Sequence, residues 1–548
     1  MSFVVRVLIL TASVFLLAFA TGEAAPSWAN LLPSGAARGQ ELDVQIRGGK
    51  FDIWPVEAWT NTTEIEVRAL EEKDRLRIRV SPTCKPGIYA IRLHDKTAAT
   101  SLRPFVVSAA VEMNENEPNQ RLREAVLIEG TKIINGFFDG RDVDHFAVDL
   151  ELGATLVASM TANEILESQV DAVLQVTTPD GFVLAQNHDW RRLDPRVVYK
   201  AKESGRHIVR CFAFPSDPNA DINLHGDDTW VYRLTVTSGA LVDYAYPMAV
   251  EKGKSSEVEL VGWNLAPGEK DFFIASEHVV RATSFLELWR PTLATPVRVA
   301  VVPHAAMAEP RDRPVEPRAI QLPCSVTGLL AQPGERDRFT FEGKKDEHVR
   351  LELHGRRLGS PLDSRLTLIG PDGKNVQVAE DSVDREGDIQ KALPDDGTYT
   401  VELEDLYGAG GERYFYVLNM TYVEPGFGIS TGIDQLTITA GKTATVEVAV
   451  QRDRFGEEIE VSAFGLPPGV HAEPVISKNE GDAAKKVTLT LTADEGVTTS
   501  GPFGILGRAT EPSLLERRAL SSKPWLSDLA SYLWVTVVLA SEPVPKED

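Results

Sequence analysis

The sequence predicts an all-β protein built of tandem β-sandwich modules, and three observations carry that prediction. Apolar residues recur at every second position in Val44-Gln45-Ile46, Leu76-Arg77-Ile78-Arg79-Val80 and Val487-Thr488-Leu489-Thr490-Leu491-Thr492. Gly, Pro, Asn and Asp interrupt such runs about every 8–12 residues, the rhythm of sandwich hairpins rather than βαβ units. A chain of 548 residues is also too long for one core, so about three to five domains are expected. Helical periodicity is confined to short stretches such as 119–126 and 513–520.

Residues 1–25 stand apart from the fold. Arg6 gives a basic start, residues 7–20 are apolar except for Thr11 and Ser13, and the small residues Gly22 and Ala24 follow. That is a secretory signal peptide with cleavage near Ala24. The run is shorter than the roughly 20 residues a membrane span needs. The expectation is an exported protein, periplasmic, cell-surface or secreted, with no stable membrane insertion after signal removal. A net charge of −23 argues against nucleic acid as a partner, since phosphate binding needs clustered Lys and Arg. The acidity has two readings, solubility or carboxylates gathered around calcium. Cys84, Cys211 and Cys324 fall in three different modules and read as buried thiols, not a disulfide framework.

The chain repeats itself. Asp171 and Asp363, Gly181 and Gly373, Asp189 and Asp381, and Gly205 and Gly397 all lie 192 residues apart. Asp144-His145-Phe146 matches Asp337-Arg338-Phe339, and Tyr232-Arg233-Leu234 matches Tyr416-Val417-Leu418. The segments ahead of these copies are related at an offset of 214, through Pro33 and Pro247, Gly39 and Gly253, Val44 and Val258, and Gly48 and Gly262. The order is therefore a first module at 26–109, copy 1 at 112–238, a third module at 240–312, copy 2 at 316–424 and a tail module at 428–548. Polar or Pro-rich stretches at 114–119 and 310–317 read as linkers. The apolar run at 532–540 reads as a final core strand, too short for an anchor.

Copy 1 carries an ordered motif string: Glu115-Asn116-Glu117-Pro118-Asn119, Ile134-Asn135-Gly136, Asp142-Val143-Asp144-His145-Phe146, Pro179-Asp180-Gly181 and Trp230-Val231-Tyr232-Arg233-Leu234. It resembles the bacterial pre-peptidase C-terminal domain, a family similar to the collagen-binding domain of clostridial collagenases. The resemblance covers copy 1 well and copy 2 in part, and implies jelly-roll-like sandwiches without catalytic function. The modules at 26–109 and 240–312 look immunoglobulin-like.

The acidic start of copy 1 is the main candidate site. Calcium takes about six to eight oxygen ligands. Glu115, Glu117 and Asn119 alternate, so an extended segment would aim all three to one side, and Asp142 and Asp144 alternate likewise. The family resemblance implies calcium held by such an E-x-E-x-N stretch with a downstream aspartate pair. Gln120 departs from the acid the family offers at that position, which weakens the expected site. The competing reading is a solvated acidic linker with turn-forming aspartates. In copy 2 the lead-in reads as Val315-Glu316-Pro317-Arg318, and Arg336 and Arg338 flank Asp337, so no calcium is expected there.

A second candidate is a loop special to copy 1. Gly205 to Tyr232 spans 27 positions and Gly397 to Tyr416 spans 19, and the excess lies within 214–229. It carries Asp217, Asp221, His225, Asp227 and Asp228 beside Trp230, an arrangement able to stack and hydrogen-bond a sugar. The alternative is a solvated hairpin insertion with Trp230 in the core. No G-x-S-x-G, H-E-x-x-H, P-loop, G-x-G-x-x-G or paired-Cys motif occurs. The expected function is non-catalytic binding or adhesion, with an extracellular polysaccharide or protein as partner. The rivals are a structural spacer and an accessory chain of a separate secreted hydrolase.

Overall fold

The computed structural model describes residues 26–540, apart from 218, 222, 282–284, 311–316, 382–385, 511 and 520–531. The signal segment lies outside the described residues. The chain is all-β, and period-two patterning accounts for it. Lys486–Ala493 buries Val487, Leu489, Leu491 and Ala493 and turns the threonines between them to solvent. Each buried Val or Leu of this kind contributes about 2 kcal/mol.

Two sandwiches share one strand order. In the first, one sheet runs Val126–Leu127, Asp144–Leu150, Gly205–Pro215, Val170–Thr177, Val183–Asn187. Its facing sheet runs Arg196–Lys200, Thr155–Thr161, Val231–Thr237, Lys132–Phe137, Val111–Asn114. The second repeats this as Arg318–Ala319, Arg336–Gly343, Gly397–Asp405, Ser364–Ile369, Asn375–Glu380 against Asp388–Ala392, His348–His354, Phe415–Tyr422, Cys324–Leu329, Ala305–Ala308. The strand Ala305–Ala308 runs parallel to Cys324–Leu329 and belongs to the second sandwich. The boundary expected at 312–316 is therefore too late, because an edge strand is defined by its hydrogen bonds and not by the proline-rich stretch that follows it.

The first, third and tail modules are also pairs of facing sheets. Leu533–Val538 is a buried strand of the tail. The helical reading of 513–520 is corrected: Glu516–Arg518 is a strand paired with Thr499–Ala509, whose long edge captures it. At 119–126 only a 3-10 turn, Leu122–Glu124, forms before the strand Val126–Leu127. A short helix the sequence did not announce, Ser276–Arg281, sits in the third module. All three cysteines are free and buried. No helix among the described residues is long and apolar enough to cross a membrane.

The modules touch beyond their neighbours in sequence. The fully buried Arg92 of the first module pairs with Asp434 of the tail at 3.7 Å, and Trp59 and His94 pack on Trp534. Arg38 lies 4.8 Å over Trp289 of the third module.

Candidate metal centre

The site grows from the register of three strands of the first sandwich. Val111–Asn114 runs parallel to Lys132–Phe137, and the next amide, Glu115 N, donates to Asn135 O at 2.9 Å. That fixes Glu115 beside Gly136. Its Oε1 accepts the Phe137 amide at 2.8 Å and its Oε2 accepts the Tyr232 hydroxyl at 2.7 Å. Asp144 opens the neighbouring strand, and its Oδ2 also lies 2.7 Å from the Tyr232 hydroxyl. Cys211 Sγ approaches the same Asp144 oxygen at 3.7 Å. Gly136 is required here: a Cβ would come within 2.3 Å of Glu115 Oε2 and 2.4 Å of the Tyr232 ring.

One hydroxyl proton cannot satisfy two carboxylates. Glu117 adds a third, and one oxygen each of Glu115, Glu117 and Asp144 falls within 4.8 Å of the others. Burial, with the charges of Glu117 and Asp142 adding to it, pushes Glu115 up to about 8 against its bonds to Tyr232 and Phe137. Burial and the Glu115 and Asp142 charges hold Asp144 well above the ordinary carboxylate range. Glu117 and Asp142 are raised too, first by burial. Asp139, which the sequence reading passed over, adds to the repulsion felt by both. Such a cluster takes up either protons or a cation.

The donor chemistry fits calcium. Asn119 is fully buried, and neither its Oδ1 nor its Nδ2 has a partner. Asp144 Oδ1 is likewise buried and unpartnered. Leaving such groups unmade costs about 1–3 kcal/mol each. The first-choice ligands are all oxygens, which suits a hard cation. Burial raises the Cys211 thiol well above its usual range, so it offers no thiolate. Glu115, Glu117, Asn119, Asp142 and Asp144 are the residues that would hold the ion. Asn119 is held by His145, whose Nδ1 lies 3.0 Å from Asn119 O, and by its own amide, which donates to Glu117 Oε2 at 3.0 Å.

Copy 2 carries a related constellation that sequence reasoning misplaced. The Tyr416 hydroxyl lies 3.0 Å from Glu309 Oε2 and 2.5 Å from Asp337 Oδ2. Glu309 N donates to Thr327 O at 2.9 Å, and a Cβ on Gly328 would come within 2.2 Å of Tyr416 and 2.4 Å of Glu309. Glu309, ahead of the lead-in expected at 315–318, thus stands where Glu115 stands. The matching tyrosines and the Asn135-Gly136/Thr327-Gly328 pairs were the available signal. Arg336 and Arg338 do not flank this site in space. Strand alternation turns them outward, where Arg336 pairs with Glu404 at 2.7 Å and Arg338 with Glu402 at 2.6 Å.

The proposed sugar loop is not assembled. Trp230 is buried in the core of copy 1, with His225 against its edge at 5.1 Å between ring centroids. An indole in a core has no face left for a sugar. Asp217 and Asp227 bond the amides of Asn219 and Thr229 and so shape turns. The Asp221 carbonyl accepts from Asn223. Asp228 is exposed near Arg47 of the first module. The insertion instead meets that module, where Asn30 Nδ2 donates to Thr229 O at 3.0 Å.

No family model matches the chain. A probable subtilase-type serine protease of Deinococcus radiodurans is 33% identical over 197 residues, covering 34% of this chain and 26% of the relative. The chain thus spans about a quarter of that relative's length. Among solved structures, the pre-peptidase C-terminal domain of a Bacillus anthracis collagenase is matched over its whole length and 20% of this chain, with 15% identity and a TM-score of 0.17. SGBP-B of a Bacteroides ovatus mixed-linkage glucan utilization locus, in complex with a mixed-linkage heptasaccharide, is matched over 73% of this chain and 74% of its own, with 8% identity and a TM-score of 0.14.

Proposed function

We propose that this protein is an exported, non-catalytic binding protein that holds a calcium ion at the start of its first repeated sandwich and engages an extracellular polysaccharide or protein. The observation that carries the calcium reading is the pair of buried, unpartnered ligand groups, Asn119 and Asp144 Oδ1, beside three converging carboxylates. Calcium here would be structural: it would neutralise the cluster and tie the linker after Asn114 to the strand at Asp144. A second reading, an accessory chain of a secreted hydrolase, is supported by the similarity to the subtilase-type relative.

Chelated protein should gain melting temperature on adding calcium, equivalent to about 2.7 kcal/mol at a hundredfold excess over Kd. The Glu117→Gln variant should lose most of that gain, and metal analysis should find one calcium per chain. An unmutated chain that melts alike with calcium and chelator would end the proposal. A glycan array, a collagen pull-down and co-purification with a protease separate the partner readings.

A further inference from the structure

Three modules converge on one aspartate. Asp243 of the third module receives Arg196 of copy 1, Nη1 to Oδ1 at 2.7 Å, and Arg413 of copy 2, Nε to Oδ2 at 3.0 Å. Arg191 of copy 1 lies beside both guanidiniums, and its charge opposes theirs. Its Nη2 donates to Leu358 O at 2.8 Å, and it occupies the space that a Cβ on Gly359 would need, 2.5 Å from Nε. Trp190 and Trp263 wall the junction, with ring centroids 5.6 Å apart and the Arg413 guanidinium 3.6 Å from the centre of Trp190.

Two guanidiniums therefore share one carboxylate, and the third, that of Arg191, has no acid partner among the described residues. Arg196 otherwise uses Ser159, and Arg413 otherwise uses the Gly359 carbonyl. Two fully buried arginines elsewhere among the described residues each have an acid. Arg233 has Glu112 and Arg92 has Asp434. Arg452 lacks an acid but spreads its donors over the carbonyls of Ala484, Phe455, Glu457, Ser477 and Lys478. Burial, only partly offset by Asp243, pushes Arg196 down to about 10, with Arg191 and Arg413 adding to the fall. Partly buried charge without a counter-charge is costly, and planar guanidinium forks match oxyanions.

We propose that this junction binds an oxyanion, a carboxylate or sulfate group, whose charge completes the set begun by Asp243. The anion would bridge copy 1 to copy 2 through Arg191, Arg196 and Arg413. In an acidic chain this gives a negatively charged polymer or solute a local point of attachment.

The test uses the mature full-length chain with chelator present, so that it reads independently of the metal centre. Tryptophan emission is followed while sodium sulfate is added at low millimolar concentration, against sodium chloride at equal ionic strength. Sulfate should produce a saturable change and chloride none. The Arg191→Gln variant should bind at least tenfold more weakly, and Arg192→Gln, at an exposed neighbour, should match the unmutated chain. A Trp190→Phe variant should lose much of the optical change yet keep the heat of binding in calorimetry. Dextran sulfate against neutral dextran then separates sources: capture that depends on Arg191 assigns a polymer, and response to the free ion alone assigns a small solute. A non-saturating response, an equal response to chloride, or an Arg191→Gln variant indistinguishable from the unmutated chain would overturn the inference.

Discussion

Copy 1 and copy 2 hold the same three side chains in the same way and differ in what surrounds them. Tyr232 bridges Glu115 and Asp144 over Gly136, and Tyr416 bridges Glu309 and Asp337 over Gly328. Around the first stand Glu117, Asn119 and Asp142. At the corresponding positions, two and four residues after Glu309, the sequence has Arg311 and Arg313, and Glu335 matches Asp142. The difference separates two roles. The Glu–Tyr–Asp bridge ties a parallel edge strand to the sandwich core and is needed with or without metal. On the proposed reading the added oxygens would turn that bridge into a cation site, and the sequence of copy 2 has arginines in place of two of them.

If the bridge is a shared structural device, breaking it should harm both copies alike. Gly136→Ala and Gly328→Ala each place a methyl below 3 Å from buried side chains, Tyr232 and Glu115 in the first case and Tyr416 and Glu309 in the second. Each should cost about 3 kcal/mol through overpacking, read as a lowered melting transition. Harm from Gly136→Ala alone would show that the copies use the bridge differently.

The copies should part company with pH. Glu115, raised to about 8, keeps a proton in the fold that the unfolded chain releases near its ordinary value of 4.5. Stability from this group is therefore present below pH 4.5 and is lost as pH rises toward 8. Asp144 shifts in the same direction. Without calcium, the unmutated chain should lose on the order of 2 kcal/mol relative to Glu115→Gln between pH 5 and pH 8. Calcium, taking the place of the proton, should remove most of that loss. A gap between the two proteins that stays constant over this range would contradict the buried-carboxylate account.

Much of this was legible in the sequence because strand alternation and turn residues are local signals. Val487, Leu489 and Leu491 announce their own burial, and the matched spacing of Asp171 with Asp363 announces related strands. Glu115, Glu117 and Asp144 were legible as acids at motif spacing, and they do converge. Glu309 was not, because it stands 194 residues from Glu115, off the 192–193 offset, and lacks the second glutamate. Of the two readings of Trp230, ligand face or core, the structure bears out the core, because exposure is decided by which sheet covers a side chain and not by its acidic neighbours. The junctions at Asp243 and Asp434 depend on how modules pack, which no window of sequence contains.

The smallest effect tests the comparison most directly, by exchanging the residue that distinguishes the copies. Glu117 is exposed and lies beside Asp142 and Asp139. Glu117→Arg replaces repulsion with attraction at a solvent-screened position, so the chelated protein should gain only about 0.5 kcal/mol. The same change removes one ligand and adds a repelling charge, so the calcium-induced rise in melting temperature should vanish. The reverse exchange is Arg311→Glu with Arg313→Asn, which gives the sequence of copy 2 counterparts of Glu117 and Asn119 two and four residues after Glu309. It should cost a similar small amount in chelator and raise the calcium count from one to two per chain. The new site should be weaker than the first, because Glu335 already caps the Gln332 amide at 2.9 Å and must leave that bond to serve as a ligand. A count that stays at one would place the distinction between the copies in the strands around the bridge rather than in these two side chains.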